Sequence, residues 1–483
     1  MTSEFTRGDA APRFGAKVRD VRRRANLSQA ELAQKLEVSA SYLNLIENNK
    51  RRLPSPLLVK LAQLFDLDLA TFAADEDARL VRDLLEAFAD PLFEDQGLTS
   101  TDVREMSTAS PGAARAVLSL YKAYQATRAA ADELSLRLTD GEELVDRSHL
   151  PSEEVSDMVQ RHMNYFPELE DAADELIARA KLSTENLYAG LVRHLEKSHG
   201  IEVKIVAWDD ERGILRRFDP ERRELILSEL LPTRSRTFQL AYQLGILTLG
   251  DRLKGLTGDA YLTTSESQAL ARVALGNYFA GAVLMPYAAF LKAAQNERYD
   301  VDVLGRRFRV GFEQVCHRLT SLRRPGAEGI PFHMMRIDVA GNISKRFSAS
   351  GIRFARFSGV CPRWNIFAAF LTPGMIRIQV SRMPEGATYF CIARTVQKDS
   401  GGYHAQQPVM AIALGCGIEH AKKLVYSDGI DLEAAGTCVP VGVSCRVCER
   451  TDCEQRALPS FKHPLGVDEN VRGASLFASV TRR

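Results

Sequence analysis

Residues 27–55 read LSQAELAQKLEVSASYLNLIENNKRRLPS, and this stretch decides the fold of the N-terminal part of the chain. Ser28 opens the phrase Ser-Gln-Ala-Glu, a capping box in which Glu31 reaches back to the cap. Leu32, Ala33 and Leu36 give the helix that follows an apolar stripe, Val38-Ser39 makes the turn, and Ser39 caps the next helix over 40–48. In that helix Leu43 and Ile46 point to the core, leaving Ser41, Tyr42 and Asn44 outward. Upstream, residues 15–24 read as a helix with Val18 and Val21 inward and a basic outer face. Downstream, Pro54 ends the segment and Leu57 to Phe65 supplies a fourth amphipathic helix. Residues 14–72 thus read as four or five short helices.

The phrase resembles the Cro/phage-repressor class of helix-turn-helix, position after position. That resemblance implies a reader whose 40–48 helix enters the major groove of a double-stranded DNA operator. Ser39, Ala40, Ser41, Tyr42 and Asn44 carry small or hydrogen-bonding side chains able to reach base edges. Gln29 is placed to contact a backbone phosphate, and Lys50, Arg51 and Arg52 follow as a phosphate clamp. Between Arg13 and Arg52 ten Lys and Arg face four carboxylates (Asp20, Glu31, Glu37, Glu47), so the module is basic. The whole chain, at a net charge of +1, is not. Readers of this size act as dimers on two half-sites, which makes a homodimer the expected assembly.

A chain of 483 residues is too long for one hydrophobic core, and its 45% hydrophobic and 26% charged content is that of soluble proteins. The N-terminal MTSEFTRGDAAPRF has no apolar core of signal-peptide length, and the longest apolar stretch, Val409 to Ile418, is too short for a bilayer. A cytoplasmic protein is expected. The expected organisation is a disordered lead (1–12), the reader (13–74), a helical linker or dimerisation region (75–150), a metallopeptidase-like domain (151–325) and a C-terminal sensory domain (326–483). The linker starts acidic, from Asp75 to Glu105, and should face away from DNA. A long helix over 113–138, with Leu118, Tyr121, Gln125, Leu134 and Leu138 near helical spacing, either pairs two subunits or packs on its own sensory domain. Asp140-Gly141 is expected to end it.

Glu202 to Trp208 alternates like a half-buried strand, and Leu215–Phe218 with Glu224–Leu227 flank Asp219-Pro220-Glu221-Arg222 as a hairpin. Arg236 to Gly250, RTFQLAYQLGILTLG, resembles the helix of the metallopeptidase-like domain of bacterial stress regulators. In active relatives that helix carries His-Glu-x-x-His, two His one turn apart for zinc and Glu as base. Here the positions hold Tyr242, Gln243 and Ile246, and neither Val273 nor Leu275, where the acidic ligand is sought, is acidic. The scaffold is therefore expected to be zincin-like without peptidase activity, its cleft reused or simply packed.

Past Pro331 the chain turns strand-rich (Met334–Val339, Met375–Val380, Thr388–Ala393), and Ala411 to Leu424 reads as strand, Gly-Cys-Gly turn and helix. The tail crowds Cys438, Cys445, Cys448 and Cys453 together, which without a secretion signal favours zinc or a [4Fe–4S] cluster over disulfides. Arg446, Arg450 and Lys462 would offset thiolate charge, and Cys361 is a further thiol able to join in three dimensions. The fold class is thus multidomain: a mainly α N-terminal half, then an α+β, strand-rich C-terminal domain with a Cys-rich metal-binding tail.

Taken with Gly311–Leu319 (GFEQVCHRL) and Gly359-Val360-Cys361-Pro362, these parts look like the short-chain fatty acyl-CoA regulators. The resemblance implies transcriptional control of acyl-CoA metabolism with a short-chain acyl-CoA as effector. Coenzyme A needs Arg or Lys for phosphate and an apolar slot for the acyl group. Lys345, Arg346, Arg353, Arg356, Arg377 and Arg382 are candidates in the strand region, and Tyr242, Arg272 and Tyr278 in the peptidase-like cleft. Two rivals remain: a redox or metal sensor using the tail cysteines, and a regulatory peptidase, which would need an intact His-Glu-x-x-His.

Overall fold

The computed structural model describes residues 15–25, 27–48, 50–51, 53–65, 76–96, 98–137, 151–207, 214–259, 261–355, 360–397, 407–460, 473–475 and 477. The chain divides into two compact units, Met1–Asp146 and Arg147–Arg483.

In the first unit, helices α1 (Gly15–Arg24), α2 (Gln29–Lys35), α3 (Ala40–Glu47) and α4 (Ser55–Phe65) surround Val18, Leu32, Leu36, Leu43, Ile46 and Leu61. The capping box forms in both directions: the Glu31 N–H donates to Ser28 Oγ at 3.2 Å, and the Ser28 N–H to the Glu31 carboxylate at 2.7 Å. Glu37, in the left-handed region at φ 59°, turns the chain, and Ser39 Oγ accepts the Tyr42 N–H at 3.1 Å to start α3. Residues 66–72, where the reader would hold any fifth helix, lie outside the described residues.

Helices α5 (Glu76–Phe88), α6 (Ser100–Ala109) and α7 (Pro111–Arg137) follow. α7 starts two residues before the expected Ala113, because Pro111 at the first position has no N–H to lose. The stripe of α7 that carries Ala114, Leu118 and Tyr121 is buried within this unit. Tyr121 Oη and Gln125 Nε2 both donate to Asp90 at 2.9 Å, and the Tyr121 ring lies 6.0 Å from Phe93. That stretch of the helix is covered within the first unit itself, by Asp90 and Phe93. Leu138 and Asp140-Gly141 lie outside the described residues.

The second unit begins with α8 (Pro151–Arg161), α9 (Pro167–Ala180) and α10 (Leu187–His199). A three-stranded sheet follows, in order β1-β3-β2, from β1 (Glu202–Val206), β2 (Arg216–Asp219) and β3 (Glu224–Ser228). β2 and β3 form the expected hairpin, its turn held by Asp219 Oδ1 accepting the N–H groups of Glu221 and Arg222 at 3.0 Å. Helices α11 (Thr233–Thr248), α12 (Gly250–Thr257), α13 (Ser265–Leu284), α14 (Tyr287–Asn296), α15 (Val301–Phe308) and α16 (Phe312–Thr320) complete this part.

A six-stranded sheet then runs in order β5-β4-β8-β7-β6-β9. Its strands are β4 (His333–Ile337), β5 (Ile343–Ser348), β6 (Arg377–Arg382), β7 (Thr388–Gln397), β8 (Val409–Gly417) and β9 (Cys438–Pro440), antiparallel except for β6 with β9. The central strands β7 and β8 are buried on both faces, which explains their near-continuous apolar runs. Met334, Phe390, Ile392, Ile412 and Leu414 join the helical core of this unit. The alternating Met335, Cys391, Ala393, Ala411 and Ala413 meet Trp364 and Ile366 on the other side.

Gly415-Cys416-Gly417 is not the expected turn: it continues β8, and a 3-10 turn over Ile418–Lys423 stands where a helix was read. The physical reason is lateral. A Cβ on Gly415 would collide with the His333 ring and lie 2.7 Å from Cys391 Sγ, so glycine is there for close approach between strands. Among the described residues no single helix is long and apolar enough to cross a membrane, and the bent pair α13–α14 places Leu275, Phe279, Val283 and Phe290 in the core.

Candidate functional site

The outer surface of α3 is built from Ala40, Ser41 and Asn44, all exposed, with Tyr42 half-buried. Lys50 and Arg51 are exposed just beyond it, and the Arg51 guanidinium sits 4.8 Å over the Tyr42 ring. Arg52 lies outside the described residues. Beneath this surface is a network that the sequence reading missed. Glu47, 2% exposed at the end of α3, accepts Arg22 Nε at 2.7 Å and Nη2 at 3.0 Å from α1, and Gln29 Nε2 at 3.0 Å from α2. Its carboxylate holds the Arg22 guanidinium above the usual arginine range. Gln29 Nε2 also donates to Asn44 Oδ1 at 3.4 Å, and Asn48 Nδ2 donates to the same oxygen at 2.6 Å. The Gln29 amide is therefore spent inside the protein, fixing Asn44, rather than left as a free donor. The signal available in the sequence was an acid ending the third helix of a basic module.

In the second unit α11 and α13 pack closely. A Cβ on Gly245 would collide with the Phe279 ring, and one on Gly276 would lie 2.8 Å from Tyr242 Cε2 and 3.0 Å from Ile246 Cδ1. The two side chains that stand where a zincin has its histidines thus close onto glycine. Gln243, 2% exposed, accepts Arg216 Nη1 at 2.5 Å, and the Arg216 guanidinium lies 4.5 Å over the Tyr242 ring. Arg272 is exposed. Tyr278 is not brought to Tyr242: two residues beyond Gly276, it projects to the other side of α13, because one residue turns a helix by roughly 100°. There its hydroxyl donates to Glu170 at 2.5 Å, beside the bidentate pair of Arg318 with Glu170 (2.5 and 2.8 Å). Burial and the Glu170 charge raise the Tyr278 phenol well above its ordinary value.

Several cations proposed for phosphate already have partners. Lys345 Nζ is 3.2 Å from Glu313, Arg346 is paired with Glu153, and Arg382 Nη2 donates to Cys438 Sγ at 3.2 Å. Arg353 and Arg377 are exposed, and Arg356 lies outside the described residues. Within the six-stranded sheet His333, 2% exposed, shares its Nδ1 with Ser350 Oγ at 2.7 Å and its Nε2 with Cys391 Sγ at 3.4 Å. Burial pushes His333 down to about 3 and Cys391 up to about 12, so both stay neutral and neither serves as base or nucleophile near neutral pH.

The tail cysteines separate into two places. Cys438 lies in β9 beside Val380. Cys445 and Cys448 are buried in a loop wrapped around Arg456, itself 5% exposed, which donates to the Cys445 carbonyl at 2.6 Å and the Cys448 carbonyl at 3.0 Å. Cys361 is tied to this loop through its N–H to the Val443 carbonyl at 3.1 Å. Burial raises its thiol pKa, with further contributions from Cys445 and Cys448. Cys453 is half-buried. All eight cysteines are free thiols, and among the described residues no three His, Cys, Asp or Glu side chains are grouped so as to hold a metal ion. The soft thiol donors suit zinc or iron–sulfur chemistry; their placement here does not form a ligand set.

Residues 18–72 match the helix-turn-helix family, 196–320 the family described as IrrE N-terminal-like domain, and 321–477 the family described as short-chain fatty acyl coenzyme A regulator, C-terminal. Reader and body together define a helix-turn-helix transcription regulator. Over 460 residues the chain is 39% identical to the HTH-type transcriptional regulator RamB of Mycobacterium tuberculosis, covering 94% of this chain and 96% of that one. It is 38% identical over 471 residues to PrpR of the same organism (97% and 96%) and 38% over 459 to the propionyl-CoA carboxylase regulator of Cereibacter sphaeroides (95% and 97%). A solved M. tuberculosis transcriptional regulator superposes with a TM-score of 0.65 at 41% identity, over 68% of this chain and 100% of that one. The chain belongs to the short-chain fatty acyl-coenzyme A regulator family of DNA-binding transcription regulators.

Proposed function

We propose that this regulator binds a specific operator as a homodimer and that a short-chain acyl-CoA, bound by the unit Arg147–Arg483, alters that binding. The observation that carries the reading is the match of residues 321–477 to the acyl-coenzyme A regulator family, together with the basic reader at the other end of the chain. Ser39, Ala40, Ser41, Tyr42 and Asn44 face base edges, Lys50 and Arg51 face phosphates, and Gln29 holds Asn44 in place. The domains follow at 13–74, 75–150, 151–325 and 326–483. The zincin-like part has no hydrolytic role: Tyr242, Gln243 and Ile246 supply neither metal ligands nor a general base. The effector must bind one conformation better than the other, and a coupling of about 1–3 kcal/mol changes operator affinity by roughly five- to 150-fold.

The experiment is fluorescence anisotropy of DNA from upstream of the protein's own gene, titrated with protein, with and without acetyl-, propionyl- and butyryl-CoA. A shift with one acyl-CoA that free CoA does not produce supports the reading. Tight binding indifferent to all of them refutes the effector and favours a second reading. In that reading a metal or redox signal enters through the tail cysteines Cys438, Cys445, Cys448 and Cys453, and the anchoring of Cys361 to the loop that carries Cys445 and Cys448 supports it. Zinc would fix such a loop structurally, and an iron–sulfur cluster would add redox sensitivity. Elemental analysis of anaerobically purified protein distinguishes the two.

A further inference from the structure

On the outer strand of the zincin-like part we infer that Arg216, held in place by the buried Tyr242 and Gln243, forms a subsite for a phosphate or diphosphate group. The inference rests on the acyl-CoA reading only for the source of that group. Arg216 starts β2, an outer strand of the three-stranded sheet, and reaches across to α11. There its guanidinium stacks on the Tyr242 ring at 4.5 Å and gives one N–H to the Gln243 amide oxygen at 2.5 Å. Gln243 is neutral, and among the described residues no carboxylate lies within ion-pair distance of Arg216. Elsewhere on the same sheet Arg217 and Lys204, by contrast, have Asp219 and Glu224.

A half-buried cation without a counter-charge is unfavourable, and burial lowers the Arg216 pKa accordingly. A guanidinium has five N–H donors in a planar fork; Gln243 takes one, and the Tyr242 hydroxyl is a second hydrogen-bond partner. The rest of the fork suits the paired oxygens of a phosphate, and stacking on Tyr242 fixes its plane. The floor of the site cannot take a metal instead, because Tyr242 and Ile246 are closed down on Gly276. The contrast with Arg346 and Lys345 is informative, since those cations are neutralised by Glu153 and Glu313.

The test is isothermal titration of the full chain in metal-free buffer with propionyl-CoA and, separately, inorganic pyrophosphate. The proteins are wild type, Arg216→Gln, Arg216→Lys and, as a control on the same strand, Arg217→Gln. Both probes should bind wild type. Arg216→Gln should weaken both by roughly ten- to 100-fold, as for loss of charge-assisted hydrogen bonds, and Arg217→Gln should leave them unchanged. Arg216→Lys keeps the charge and loses the fork; it should also weaken both, and it carries the test if Arg216→Gln does not fold. Equal affinity for propionyl-CoA in wild type and Arg216→Gln overturns the subsite while leaving the effector reading intact. Arg216-dependent binding of pyrophosphate with no binding of propionyl-CoA upholds the subsite, makes a free diphosphate its source, and overturns the effector reading. Equal losses in Arg216→Gln and Arg217→Gln, or no binding of either probe to wild type, overturn the subsite.

Discussion

Replacing Glu47 tests how the reader is held in register. The carboxylate is 2% exposed and carries two charge-assisted bonds from Arg22, at 2.7 and 3.0 Å, and one from Gln29 at 3.0 Å. Arg22 is itself largely buried, with 14% of its side chain exposed. Glu47→Ala would strand that guanidinium, and breaking a buried pair from one side costs about 3–5 kcal/mol. Glu47→Gln keeps the shape and one acceptor, so its cost should be nearer the roughly 1.5–3 kcal/mol of hydrogen bonds to a charged group. Because Gln29 orients Asn44, both changes should also act on recognition. The fraction of reader that remains folded should bind operator more weakly relative to nonspecific DNA, with little change in the salt dependence set by Lys50 and Arg51. Urea unfolding measures the first effect, and anisotropy on operator and scrambled duplexes at several salt concentrations measures the second. The reasoning would be refuted by a Glu47→Ala protein that unfolds within about 0.5 kcal/mol of wild type, the usual range for a surface change. An unchanged operator-to-scrambled ratio in a folded Glu47→Gln protein would refute the positioning role alone.

Gly415→Ala should destabilise the second unit by about 1–3 kcal/mol through overpacking against His333 and Cys391, read as a lowered melting temperature; an unaltered melt would mean the strands separate more easily than their register suggests. Arg318→Met should cost about 3–5 kcal/mol by leaving Glu170 charged and unpaired, and a Glu170→Leu, Arg318→Met double variant should recover much of that in urea titrations. His317 and His333 are held neutral, each pushed down to about 3 by burial, against about 6.5 in the unfolded chain. Between those values the unfolded chain binds more protons. Their stabilisation is therefore complete above about pH 6.5 and falls as pH drops toward 3, by about 1.4 kcal/mol per pH unit for each histidine. His333→Gln should remove one share of that slope, and an unchanged slope in stability measured from pH 6.5 to 4.5 would exclude the assignment. Arg51→Ala should weaken binding to all DNA sequences and flatten the salt dependence, whereas Asn44→Ala should alter base preference; anisotropy on a panel of operator variants separates the two, and identical effects would mean the docking of α3 is wrong.

The sequence by itself determined what depends on neighbours along the chain. The Ser28–Glu31 box, the Ser39 cap, the apolar stripes of α2 and α3, and the hairpin around Asp219 are set within a few residues, and each appears in the structure close to where its local chemistry puts it. The same locality made Tyr242, Gln243 and Ile246 readable as a peptidase helix without its ligands. What only the tertiary structure decided are the partnerships between residues far apart in the chain. Glu47 meets Arg22 across 25 residues and Arg318 meets Glu170 across 148; Gly415 makes room for His333, and Tyr278 turns away from the cleft to join Glu170. Cys361 likewise reaches the Cys445–Cys448 loop while Cys438, nearer in sequence, stays in the sheet. None of these leaves a period or a spacing, because which side chains meet is fixed by sheet register and helix packing, and those are settled only when the whole core closes.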